Sequence, residues 1–179
     1  MRSPSRVILL CGPAGSGKST TARRLESEGW VRLGWDEEAA RRGYTGYPLP
    51  DGAKAEVHAA VQERLVALVA EGRDVVVDTS FWQRALRTDY RELLAPLGVV
   101  PTTWYLRVPW PMLLARVSAR TGSGPDDVVI SEATLRRFVD GFEVPTPDEG
   151  PLVVLDGGVD GYPAGTGERP AAVRGAAAA

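Results

Sequence analysis

The eight residues Gly12-Pro-Ala-Gly-Ser-Gly-Lys-Ser19 spell G-x-x-x-x-G-K-S/T, the spacing of a backbone cradle for phosphate. Glycines let the chain curl so that successive N–H groups point into one concavity, and a helix that follows adds its positive N-terminal end. In such a cradle Lys18 reaches the β- and γ-phosphates of a nucleoside triphosphate, and the Ser19 hydroxyl ligates Mg²⁺. The contacting residues read from the pattern are Gly12, Pro13, Ala14, Gly15, Ser16, Gly17, Lys18, Ser19 and Thr20.

Two carboxylates at strand ends are candidates for the accompanying chemistry. Asp78 closes the run Val75-Val-Val and has the form of an acidic residue that holds Mg²⁺, usually through water; it could equally cap a helix, as could Thr79 and Ser80. Asp36 closes Val31-Arg-Leu-Gly-Trp on the rim where open α/β sheets bind ligands. It suits an acceptor for the proton of an attacking hydroxyl, and also an N-cap for residues 37–42. Arg116 and Arg120 are four apart on an expected helix, so they share a face and could project together towards a triphosphate. Trp35, Trp82, Tyr44 and Tyr47 lie near the two carboxylates and could stack on a flat or sugar-like molecule, whereas Trp30, Trp104 and Trp110 read as packing residues. His58 has no His or Cys neighbour and reads as a boundary residue rather than a metal ligand.

Apolar runs alternating with helical patterns imply a parallel sheet covered by helices. Strands are expected at 7–11, 31–35, 75–77, 102–108 and 152–155, and helices at about 18–28, 53–71, 83–95, 111–120 and 131–142. Val57, Val61, Leu65, Leu68 and Val69 give the second helix one apolar face. The Gly-, Pro- and Tyr-rich stretch 42–52 reads as a loop, and the Gly-, Pro- and Asp-rich stretch 121–130 as a mobile lid able to exclude water. The organisation read from the chain is one domain over 1–156 and a disordered tail over 157–179.

Composition narrows the partners. The 179 residues carry a net charge of −2, so no broad basic field attracts nucleic acid or an anionic membrane. No apolar run approaches the ~18 residues of a membrane span. The lone Cys11 cannot form an internal disulfide, which points to a reducing cytoplasm. Of the 21 basic residues only Lys18 and Lys54 are lysines, and one of them occupies the cradle position where a compact ammonium is needed. Neither N-K-x-D nor a suitable D-x-x-G follows the cradle, and Asp78 precedes Thr79 rather than a water-activating Glu. GTPase and motor-ATPase readings therefore lack support.

The order Gly12–Ser19, Asp36, Val-Val-Val-Asp78, Arg116 and Arg120 before a lid, then Phe142-Glu-Val-Pro145 and a last strand resembles the small P-loop kinases of the zeta-toxin, chloramphenicol phosphotransferase and polynucleotide-kinase group, in particular their bacterial AAA-domain kinase-like members. The resemblance covers about residues 5–156. It implies an α/β P-loop fold with a five-stranded parallel sheet of order 2-3-1-4-5, ATP with Mg²⁺ as donor, and transfer of the γ-phosphate to a hydroxyl. It assigns Asp36 to acceptor activation, Arg120 to the lid, Asp78 to the metal, and residues 144–147 to the adenine side. Polynucleotide kinases of this type carry an arginine three residues after the base, where this chain has Ala39. The expectation is thus an ATP-dependent kinase of a small hydroxylated molecule. A polynucleotide 5′-hydroxyl kinase and a nucleotide-binding regulator without transferase activity are the alternatives.

Overall fold

The computed structural model describes residues 5–45 and 48–157. Tyr47 and the expected tail from residue 158 lie outside the described residues. Five strands, β1 (Val7–Cys11), β2 (Val31–Gly34), β3 (Val75–Asp78), β4 (Thr102–Arg107) and β5 (Leu152–Asp156), form one sheet of order β2-β3-β1-β4-β5. All four pairings are parallel. Its helices are α1 (Lys18–Ser27), α2 (Trp35–Arg41), α3 (Ala53–Ala70), α4 (Arg84–Leu94), α5 (Trp110–Ser118) and α6 (Glu132–Asp140). The expected fold class and strand order are the observed ones.

A parallel sheet covered on both faces needs strands that are apolar on both faces, and β1 supplies this. Val7, Leu9 and Cys11 join Val75, Val77 and the α3–α4 side chains Val57, Val61, Leu65, Tyr90 and Leu94 in one core. Ile8 and Leu10 turn the other way, towards Val76, Leu106 and the α1 residues Ala22 and Leu25. A smaller cluster of Leu113, Val117 and Leu135 joins α5 to α6.

Register carries the fold to the site. Leu10 of β1 and Gly34 of β2 both pair with Asp78 at the end of β3, so the three strands end within one residue of the same level. The residues that follow, Gly12 and Asp36, therefore meet Asp78 on one rim.

The second strand is shorter than expected. It stops at Gly34, extended at φ −92° and ψ 126°, and Trp35 opens α2. Asp36 accordingly sits inside the first turn of α2 with Glu37 and Glu38, where the helix dipole favours carboxylates, and not at the N-cap. In α5 the helix starts at Trp110 with Pro111 in its first turn and ends at Ser118, leaving Arg120 just past it. Residues 121–130 hold neither helix nor strand, and Ser131 caps α6 by accepting from the Thr134 N–H at 3.2 Å. Among the described residues no helix is long and apolar enough to cross a membrane.

Candidate active site

The chain between β1 and α1 folds into the cradle its glycines allow. Gly15 and Gly17 adopt φ of +82° and +95°, the left-handed region that side chains resist. Gly15 is also sterically confined: a Cβ there would stand 3.0 Å from the Leu113 carbonyl oxygen of α5. At Gly12 a Cβ would come within 2.5 Å of Ser16 Oγ. No side chain caps the N-terminus of α1 at Gly17, so its first N–H groups remain available to an anion. Ser16 Oγ is buried without a hydrogen-bond partner, a second unsatisfied group in the same turn. This donor-rich concavity fits a polyphosphate.

Lys18 Nζ donates to the carbonyl oxygens of Gly12 and Pro13 at 2.9 and 3.0 Å, which folds the ammonium back over the cradle. Desolvation in the cleft holds its pKa below the ordinary lysine value, against the opposing charges of Asp78 and Asp36.

A cavity of about 690 Å³ opens above this turn. Its wall includes Lys18, Ser19 and Thr20 from the cradle, Trp35 and Asp36 from α2, Asp78 from β3, Trp82 from the β3–α4 connection, Arg116 from α5 and Arg120 just past it. Most of the sequence-predicted residues are thereby brought together; Gly12 and Ser16 lie off the wall, and two further expectations depart from it. Tyr44 is not part of the wall; it packs against the α3 core and donates its hydroxyl to the Glu56 carboxylate at 2.6 Å. The stretch 144–147 likewise stays off the wall, although Phe142 just before it contributes. The flanking chain is held by α4 and its entry: Glu143 N–H donates to the Trp82 carbonyl at 2.9 Å, and Arg87 binds the Glu149 carboxylate.

Asp36 faces the open cavity, yet the protein mass around the cleft desolvates its carboxyl and pushes the pKa up to about 6. Lys18 and Arg120 pull it down, while Asp78 and Asp126 reinforce the rise. A carboxylate poised there is suited to take a proton near neutrality. Arg116 Nη1 donates to the Gly15 carbonyl at 3.2 Å, and Arg120 Nη1 donates to the Val128 carbonyl of the 121–130 segment at 3.0 Å. The 121–130 segment folds around Asp127, whose Oδ2 accepts from the N–H and hydroxyl groups of both Thr121 and Ser123 at 2.9–3.1 Å.

Several wall residues escaped the sequence reading. Lys54 and His58 enter from α3, and Phe138 and Arg137 from α6. His58 rests between Trp35, at a centroid distance of 5.8 Å, and the Tyr90 hydroxyl, 3.4 Å from its Nδ1. Desolvation lowers its pKa, against the opposing charge of Asp89. Its signal was position: one residue beyond Val57 on an amphipathic helix, it emerges at the edge of the buried face.

The candidate metal donors are all oxygen, Ser19 from the cradle and Asp78 opposite. Among the described residues no cluster of three or more His, Cys, Asp or Glu side chains could hold an ion by itself. Oxygen donors of this kind fit Mg²⁺, which takes carboxylate and hydroxyl oxygens together with waters and phosphate oxygens.

The fold and this cradle define the class: a small P-loop kinase-like protein. The AAA domain family model matches residues 7–145, and the chain belongs to that family. No curated protein matches the sequence. Among solved structures, a sugar kinase from Janibacter sp. HTCC2649 superposes with a TM-score of 0.63 at 23% identity, covering 86% of each chain. A gluconokinase from Sinorhizobium meliloti 1021 superposes with a TM-score of 0.61 at 24% identity, over 87% of this chain and 84% of its own. The Mycobacterium tuberculosis APS kinase, in a complex with AMPPNP and APS, gives 0.58 at 20% identity over 86% and 88%. At these identities the likeness is one of fold.

Proposed function

We propose that this protein is an ATP-dependent kinase that transfers the γ-phosphate to a hydroxyl of a small molecule. The observation that carries the reading is the single cavity lined at once by the phosphate cradle, Asp36 and the two arginines before the lid. ATP with Mg²⁺ supplies the transferable group: the acceptor oxygen bonds to the γ-phosphorus as the bond to the β–γ bridging oxygen breaks, and ADP leaves.

Lys18 and the backbone N–H groups from Gly15 to Thr20 bind the polyphosphate, and Ser19 and Asp78 serve the cation. Asp36 orients the acceptor hydroxyl and takes its proton. Arg116 and Arg120 neutralise charge on the transferring group, and the lid excludes water. Trp35 and Trp82 give the acceptor flat apolar walls.

A small acceptor is favoured over a polynucleotide by what stands beyond Asp36. Ala39 is buried in the core, and Arg41 and Arg42 pair with Glu37, Glu38 and Glu56 away from the cavity. The test compares two variants. Lys18→Ala should lose both transfer and most nucleotide affinity. Asp36→Asn should lower transfer by about 10²–10⁴-fold, the usual worth of a general base, with nucleotide affinity nearly unchanged. Full transfer by Asp36→Asn removes Asp36 from the mechanism.

A further inference from the structure

A charged side chain buried in a strand needs an explanation, because taking a guanidinium out of water costs several kcal/mol unless it is fully paired. Arg32 is such a residue. It lies in β2 opposite Val76, between Val31 and Leu33, and alternation turns it to the sheet face covered by α1 while its neighbours pack into the α3–α4 core. Its side chain is only 8% exposed. Nε and Nη2 both donate to Asp78 Oδ2, at 3.0 and 2.6 Å. The same Nη2 donates to both carboxylate oxygens of Asp126 in the lid, each at 2.8 Å. Asp78 is 4% and Asp126 12% exposed, and Arg23 of α1 also binds Asp126.

This chain of contacts runs from the lid to the strand-end carboxylate through one guanidinium. Lysine could not replace it, since a single ammonium lacks the fork that grips Asp78 from two nitrogens while reaching Asp126. Both Arg32 bonds to Asp78 fall on Oδ2, which fixes the rotation of the carboxylate and turns Oδ1 to a defined direction. Asp126 in turn holds the guanidinium from the lid side. A lid that docks through Asp126 therefore also steadies the group that orients Asp78.

We propose that Arg32 is a positioning residue that couples docking of the lid to the orientation of Asp78, and so to Mg²⁺-dependent nucleotide binding; this rests on the reading of Asp78 as serving the cation. Groups that orient metal ligands from behind change metal affinity by about 10–100-fold when altered. Arg32→Lys should weaken the Mg²⁺ enhancement of nucleotide affinity by that factor. Asp126→Asn should weaken it less.

The test uses AMPPNP as probe. Its affinity is measured calorimetrically with and without Mg²⁺ for the parent protein, Arg32→Lys, Asp126→Asn and Asp78→Asn, alongside hydrogen exchange of residues 121–130. The expected result is faster lid exchange in both Arg32→Lys and Asp126→Asn, with a reduced Mg²⁺ enhancement in each and unchanged affinity for AMPPNP without Mg²⁺. Asp126→Asn alters a lid residue outside the sheet, so it remains informative if Arg32→Lys folds poorly. Faster lid exchange with undiminished Mg²⁺ enhancement in both variants overturns the coupling alone. Undiminished enhancement in Asp78→Asn overturns the metal reading of Asp78, and the coupling with it.

Discussion

Behind the cavity wall, Arg87 and Glu149 form the most deeply buried ion pair described here, with side chains 0% and 2% exposed. Arg87 Nε and Nη2 donate to the two Glu149 oxygens at 2.7 and 2.8 Å, and its Nη1 donates to the carbonyls of Phe81 and Glu143 at 2.8 and 2.9 Å. Replacing Glu149 by Ala strips the carboxylate from a guanidinium that cannot reach water. Breaking such a pair from one side costs about 3–5 kcal/mol. For a domain of this size each kcal/mol moves Tm by roughly 2–4 °C, so Glu149→Ala should melt on the order of 6–20 °C lower.

Chemical denaturation followed by tryptophan fluorescence measures the same loss as a fall in midpoint at constant m-value. Asp156→Ala is the control: its pair with Arg107 is 71% and 60% exposed, and it should cost under about 1 kcal/mol. The double variant Arg87→Met/Glu149→Leu should recover only part of the lost stability: it removes the unpaired Arg87 charge, but Arg91, which also pairs with Glu149 at 3.5 Å, loses that partner, and the Phe81 and Glu143 carbonyls lose the Arg87 donor. The pH dependence has a definite sign. Burial pushes the Glu149 carboxyl up, but its bonds to Arg87 and Thr146 outweigh this and leave it below the ordinary 4.5. Its contribution is thus complete at neutral pH and lost as the solution is acidified through and below that range. A cost for Glu149→Ala no larger than that of Asp156→Ala would refute the reasoning.

Two further outcomes follow from the site and the core. Transfer measured as kcat/KM should rise with pH through a midpoint near 6, because Asp36 must be ionised to accept a proton and its folded-state pKa is pushed up to about 6; a flat profile across that range contradicts its role as base. Cys11 is fully buried, and desolvation pushes its thiol up to about 12, so a thiol reagent should leave the native protein unmodified and react only on unfolding. Rapid modification of the native protein would show that the β1 core opens.

The residues that announce themselves by local pattern were legible from the sequence. The cradle is contiguous from Gly12 to Ser19, and apolar β1 and β3 with the helices between them dictate a parallel sheet with its ligand rim at the strand ends. Asp36 followed from that rule, and Asp78 from its strand-end position taken together with the preceding cradle. What stayed hidden depends on partners far along the chain. Nothing local to Val-Arg-Leu-Gly signals that Arg32 is covered by Asp126, 94 positions later. Nothing in its own helix marks Arg87 as buried, because its partner Glu149 lies 62 positions on. Tyr44 shows the converse: proximity in sequence to Asp36 suggested the cavity, but Glu56 on α3 holds its hydroxyl elsewhere.

The central claim is tested most directly by incubating the purified protein with ATP labelled at the γ-phosphate and a panel of sugars, nucleosides, antibiotics and 5′-hydroxyl oligonucleotides. The account predicts label on a small hydroxylated acceptor, absent with Lys18→Ala and Asp36→Asn. Label on the oligonucleotide alone, falling steeply with salt, would establish a polynucleotide acceptor instead. Tight ATP binding with no acceptor-dependent release of ADP across the panel would contradict the kinase assignment.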